Sequence, residues 1–124
     1  MPVTTYNETQ FAAGTATSLG AATEIQLVIA DSQHTVEVLR VKVKHTAGSA
    51  ANIVPRIHSA TGGVAAGFSQ EFAADSVSVA SLCDVEAQGV ICQTDATGKL
   101  YLIVAPDAGS DNAVSYVVAY RVLA

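Results

Sequence analysis

The stretch Gly98–Ala124, G-K-L-Y-L-I-V-A-P-D-A-G-S-D-N-A-V-S-Y-V-V-A-Y-R-V-L-A, decides the fold class. It holds two apolar runs, Leu100–Ala105 and Ala113–Leu123, rich in Val, Ile, Leu and Tyr. Such residues suit a pleated, half-buried surface. Between them lies Pro106-Asp107-Ala108-Gly109-Ser110-Asp111-Asn112, which is all turn chemistry. The stretch reads as a hairpin of two long strands at the centre of an all-β domain. In the second run Val114, Tyr116, Val118, Tyr120 and Val122 share one face. Val117, Ala119 and Leu123 share the other with Ser115 and Arg121. A strand with one wet side shows polar residues there. The apolar outer face is therefore expected to be covered, either by a second subunit or by the N-terminal segment of the same chain. Val117, Ala119 and Leu123 form the candidate subunit-packing face.

Working outward, Asp95-Ala96-Thr97-Gly98 has the form of a compact hairpin turn, with Gly where a positive φ is needed. Val90–Thr94 precedes it as a strand, and Asp84–Gly89 reads as a turn. Val77–Cys83 alternates as a further strand, and Val64–Ala74 reads as one more. Ser59–Gly63 is a turn. Asn52–His58 is a short strand whose Pro55 cannot donate to a ladder, which puts it at an edge or beside a bulge. Thr23–Ile29 alternates, with Ile25, Leu27 and Ile29 on one face. In Val36–His45, Leu39, Val41 and Val43 share a face while Val36 and Val38 hold the opposite phase. Either a β-bulge near Val38-Leu39 resets the register or that end is buried on both sides.

These segments give about eight short strands with turn signals every eight to twelve residues, and no amphipathic helix. The pattern is that of an antiparallel β-sandwich or jelly roll over 23–124. Residues 1–22 are small and polar and sustain no period. They read as a frayed terminus or as an extended arm, with Tyr6, Phe11 and Leu19 as the anchors that bind a partner. Such an arm is expected to be dispensable for folding. Arg40, Lys42 and Lys44 form a basic stripe on the strand 36–45. It is either a solvated face that discourages edge pairing or a docking stripe for an acidic partner.

Composition narrows the function. Only 14% of the 124 residues are charged against 50% hydrophobic, too little charge to coat the whole surface. Some of the apolar excess is expected to meet another chain. Six basic against eleven acidic residues give no electrostatic footprint for nucleic acid. No apolar run is long enough to cross a membrane as a helix. The N-terminus lacks the pattern of a signal peptide, so folding in a cytoplasm is expected. Cys83 and Cys92 read as buried thiols or as a cross-strand disulfide over a hairpin at 84–91, and no ligand spacing points to zinc.

No catalytic, cofactor-binding or metal-binding set is found. There is no Gly-x-Ser-x-Gly elbow and no phosphate loop. His34, His45 and His58 are scattered without a nucleophile. Asp107–Asn112 has a faint calcium-loop look, better explained by Asx turns.

Taken together, L-R-V-K-V-K-H-T-A-G-S-A-A-N-I-V-P-R-I at 39–57, Q-E-F at 70–72 and G-K-L-Y-L-I-V-A-P-D-A-G-S-D-N at 98–112, closing with Y-R-V-L at 120–123, resemble small virion proteins of tailed bacteriophages. The nearest group is the β-sandwich capsid decoration, or cement, proteins. The resemblance implies a non-enzymatic protein without cofactors, bound to the capsid exterior after synthesis in the host cytoplasm. It implies the major capsid protein as partner, together with self-association as a dimer or trimer. It implies no direct contact with nucleic acid or membrane. That class shares no site motif, so no functional residue is carried over from it. The alternative is a tail, fibre or neck module that binds a host glycan or another virion protein.

Overall fold

The computed structural model describes residues 4–20, 23–53, 55–58, 75–76 and 82–124, with 75–76 and 82–90 described by backbone pairing alone. The expected strand at Val64–Ala74, the turn at Ser59–Gly63 and most of the strand at Val77–Cys83 lie outside these residues. The described chain is all-β. Its strands are β1 (Gln10–Leu19), β2 (Ile25–Val28), β3 (Thr35–Ala47), β4 (Asn52–Ile53), β5 (Arg56–His58), β6 (Asp75–Ser76), β7 (Leu82–Gln93), β8 (Lys99–Ile103) and β9 (Asn112–Val122). All pairings are antiparallel. One sheet runs β1-β9-β3-β7, a second β2-β8-β5, and β4 pairs with β6.

The two larger sheets share one hydrophobic core. Val36, Val38, Val41 and Val43 of β3 meet Val114, Val118, Tyr120 and Val122 of β9 in it. Ile25 and Leu27 of β2, Ile57 of β5 and Leu100 and Leu102 of β8 supply the other side. β3 changes phase where the sequence predicts. Val38 pairs with Tyr120 but Arg40 with Ala119, so Leu39 is an extra residue on β3. The bulge turns Val36 and Val38 to the same side as Val41 and Val43, and all four are fully buried. Pro55 likewise breaks the strand expected over 52–58, leaving β4 and β5 on either side of it in different sheets.

Three sequence expectations are corrected. Leu100–Ala105 and Ala113–Leu123 are not a hairpin, because β8 lies between β2 and β5 whereas β9 lies between β1 and β3. Their linker crosses from one sheet to the other. Its polar groups serve the loop at 49–52 instead of closing a turn. Asp107 accepts from Ala51 N (2.9 Å) and Asn52 Nδ2 (3.0 Å), and Asp111 accepts from Ser49 N (3.2 Å) and Oγ (2.8 Å). The bond from Asn52 is the main reason the Asp107 carboxyl titrates below its ordinary value.

Asp95–Gly98 is a tight turn, with Gly98 N donating to Asp95 O at 3.0 Å, yet it too joins strands of different sheets. Gly98 has φ of 81°, and a Cβ there would lie 2.1 Å from Ala30 O, so the crossing requires glycine. The expected turn at Asp84–Gly89 lies inside the continuous strand β7. Val38 pairs with Val90 and Arg40 with Glu86, so an irregularity at 87–89 absorbs the polar Gln88 and Gly89 without reversing the chain. This also removes the hairpin that would bring Cys83 and Cys92 together. They stand opposite Val43 and Val36, seven residues or about 23 Å apart along β3, beyond disulfide reach. Cys92 is a free, buried thiol, and burial pushes its pKa up to about 11.

Candidate functional site

The segment expected to be an arm is mostly part of the sheet. Residues 10–16 of β1 pair with 120–114 of β9 in unbroken register. No alternation betrays β1, because its inward positions are as small as its outward ones. The Tyr116 side chain explains this: it lies over its Cα partner Gly14, where a Cβ would come within 2.9 Å of the Tyr116 hydroxyl. An aromatic ring fills the space that a side chain on β1 would otherwise take.

The three expected anchors separate. Leu19 is 2% exposed and belongs to the chain's own core, so it anchors nothing external. Removing 1–20 would take away a sheet strand and a core side chain, so the segment contributes to the fold. Tyr6 is tied to the turn before β3. His34 Nδ1 lies 2.9 Å from Ser32 O, a carbonyl that can only accept, so Nε2 is the acceptor for the Tyr6 hydroxyl at 2.9 Å. Thr4 Oγ1 donates to Asp31 in the same turn (2.8 Å), and this bond is the main reason the Asp31 carboxyl titrates below its ordinary value. Phe11 is the most open of the three, 64% exposed on the outer face of β1.

The β1–β9–β3 pairing then brings residues from all three candidate sets onto one surface. Cα partners form rows across the sheet: Phe11, Ala119, Arg40 and Glu86; Ala13, Val117, Lys42 and Asp84; Thr15, Ser115, Lys44 and Leu82. The alternation of burial along β3, with Arg40, Lys42 and Lys44 exposed between buried valines, sets the β1, β9 and β3 members of these rows on the outer face. Val117 is 37% exposed, while Ala119, at 8%, floors the patch. Phe11, Arg40, Lys42, Val117 and Ala119 line a shallow depression of about 160 Å³. A second depression, over Lys42, Lys44 and Val117, continues it along β3. Leu123 is half-buried beyond the end of β9, where its N–H donates to Thr35 O (2.9 Å), and it is not among the residues lining either depression. The basic stripe does not guard an edge, since β3 is flanked by β9 and β7. It borders the apolar patch on one side and stands opposite Asp84 and Glu86 in register on the other.

The remaining polar clusters serve the fold. Asn112 is fully buried; its Nδ2 donates to Leu19 O and Ala108 O (3.0 Å each) and its Oδ1 accepts from Ala50 N (3.1 Å). That orientation makes His45 Nε2 the donor in the 3.2 Å contact to Oδ1. Asp95 Oδ2 accepts from the Tyr101 hydroxyl at 2.5 Å, and Oδ1 from Thr97 N, Thr97 Oγ1 and Lys99 N. Burial works against ionisation of Asp95, but these donors outweigh it and hold the carboxyl at about 2. The same bond, followed by burial, pushes Tyr101 up to about 12. Among the described residues no three His, Cys, Asp or Glu side chains are grouped to hold a metal ion. No protein-family model and no curated protein matches this chain.

Proposed function

We propose that this chain is a non-enzymatic structural protein of a tailed-phage virion, a capsid decoration or cement protein that docks through the outer face of its four-stranded sheet. The observation that carries this reading is the patch itself. Exposed Phe11 and Val117 stand beside Arg40, Lys42 and Lys44 on a stiff sheet rather than on loops. Burying a side chain such as Phe11 contributes about 1.5–3 kcal/mol, and a rigid platform loses little entropy on docking. The neighbouring Lys42 and Lys44 would meet acidic groups of the capsid protein. In this reading the two sheets close as a β-sandwich of jelly-roll type, supported by the core they share. The protein would act on the capsid exterior, after synthesis in the host cytoplasm, and would need no cofactor. A glycan-binding tail module fits less well, because Tyr101 and Tyr120 are buried and Tyr6 is engaged by His34.

The test is co-sedimentation of the full chain with capsids of the encoding phage that lack it. Phe11→Asp and Val117→Asp are expected to lower capsid affinity by roughly tenfold or more each. Their urea midpoints should stay near wild type, as both side chains are exposed. Undiminished binding by both variants would remove the patch from the docking surface. Failure of the wild-type chain to bind would remove the virion assignment.

A further inference from the structure

The four outer edges of the two larger sheets are not equally protected. β2 and β5 are four and three residues long. β7 carries Asp84 and Glu86 and the irregularity at 87–89. Short strands, charges and bulges are the usual devices that stop a sheet edge from pairing with another chain. β1 has none of them over Gln10–Ala16. Its ten residues include no charge and no proline, and its one bulge lies beyond Ala16, near Ser18. Ala13, Gly14 and Thr15 are exposed in succession, on both faces of the strand, and among the described residues no strand pairs with its outer flank. A row of backbone N–H and C=O groups without partners is best met by another extended strand.

We infer that the occupant is β1 of a second copy, paired antiparallel about a twofold axis at Ala13. The bulge-free stretch 10–16 has Ala13 at its centre. Pairing there sets Ala13 against Ala13, Phe11 against Thr15, Ala12 against Gly14 and Gln10 against Ala16. Outward residues meet outward residues, and no two charges are opposed. The row Asp84–Lys42–Val117–Ala13 continues into its own mirror image, so the apolar patches of two copies merge at the centre of an eight-stranded sheet. The two Lys42 residues end about five strand spacings apart, roughly 24 Å, well beyond the screening length at physiological salt. The association does not depend on the virion reading, since it is a property of the free chain.

The experiment uses single-cysteine additions to the full chain, with the wild type as control for its native thiols. At the axis, Ala13→Cys places two cysteines about 4.5–5.5 Å apart, within disulfide reach. Thr15→Cys places them four residues apart along the strands, roughly 14 Å, out of reach. Under mild oxidation Ala13→Cys is expected to give covalent dimer at least about tenfold faster than Thr15→Cys. Light scattering on the wild type should show a concentration-dependent dimer. Ala13→Lys should be a monomer with an unchanged circular dichroism spectrum. Val117→Asp should still dimerise, which separates edge pairing from packing through the sheet face. A wild type that stays monomeric up to millimolar concentration, a discrete trimer, or equal cross-linking at 13 and 15 would each overturn the inference.

Discussion

Replacing Asn112 by alanine is expected to cost far more than its small volume suggests. The side chain is fully buried and touches four separate parts of the chain: the end of β1, the 108 turn, the loop at 50 and His45 on β3. Truncation leaves Ala50 N–H, Leu19 C=O and His45 Nε2 without these partners in a dry site. Each unpaired buried group costs about 1–3 kcal/mol. Entry of a water recovers part of this, which leaves a net loss of about 3–5 kcal/mol from a total that is typically 5–15. For a chain of this size that lowers Tm by about 10–20 °C. The assay is equilibrium urea unfolding at neutral pH, where the midpoint should fall with little change in slope. Asp111→Ala is the matched control. It is one residue away and its side chain bonds to Ser49, but it is exposed, so its loss should move the midpoint far less. If Asn112→Ala cost no more than Asp111→Ala, the polar hub would not be what closes this end of the core.

Tyr101→Phe should change the dependence of stability on pH in two windows. Asp95 is depressed to about 2, so its contribution is complete above the unfolded value near 4 and is lost as pH falls towards 2. Tyr101 is raised to about 12, so its contribution is complete below about 10 and is lost as pH rises towards 12. The phenylalanine variant should reduce the alkaline slope, leaving the part that the buried Cys92 and Tyr120 contribute, flatten the acid one and lower the neutral-pH urea midpoint by an amount worth about 1–2 kcal/mol. A variant with both slopes intact would show that the 2.5 Å bond is not what shifts the two groups. Cys92, in a Cys83→Ser background, should resist a thiol reagent at pH 8 until the protein is unfolded, as burial raises its pKa to about 11. Prompt labelling of the native protein would contradict the burial of that strand end.

The local rules carried the reading wherever a residue's constraint is local. The phase change across Val36, Val38, Val41 and Val43 announced the bulge at Leu39, because burial forces a side-chain direction on each valine. Pro55 announced an edge position, because it has no N–H to give, and β5 does lie at the edge of its sheet. The turn residues at 95–98 announced a tight turn, and the chain makes it, while those at 106–112 mark the linker between β8 and β9. What they do not encode is which strand lies alongside afterwards. β8 and β9 take neighbours from distant parts of the chain, so two expected hairpins became crossings between sheets. β1 was illegible for a packing reason, since Tyr116 from β9 supplies the bulk over Gly14. The candidate site shows the same division. Phe11, Val117 and Lys42 each stood out alone, but their adjacency comes from pairings that span more than a hundred and some seventy residues.

That β9 sits between β1 and β3 has a consequence for biosynthesis. Both of its neighbours leave the ribosome before it does, so until β9 emerges β3 is open on that side and β1 has no described strand to pair with. During that interval Val36, Val38, Val41 and Val43 lack the strand that flanks them on one side, and the uncharged β1 lacks its only described neighbour. Such non-local closure is slow compared with hairpin formation. The nascent chain is therefore most open to misassembly or chaperone capture in the seconds before Asn112–Val122 is released, and among the described strands β1 joins the sheet through β9, the last strand to appear.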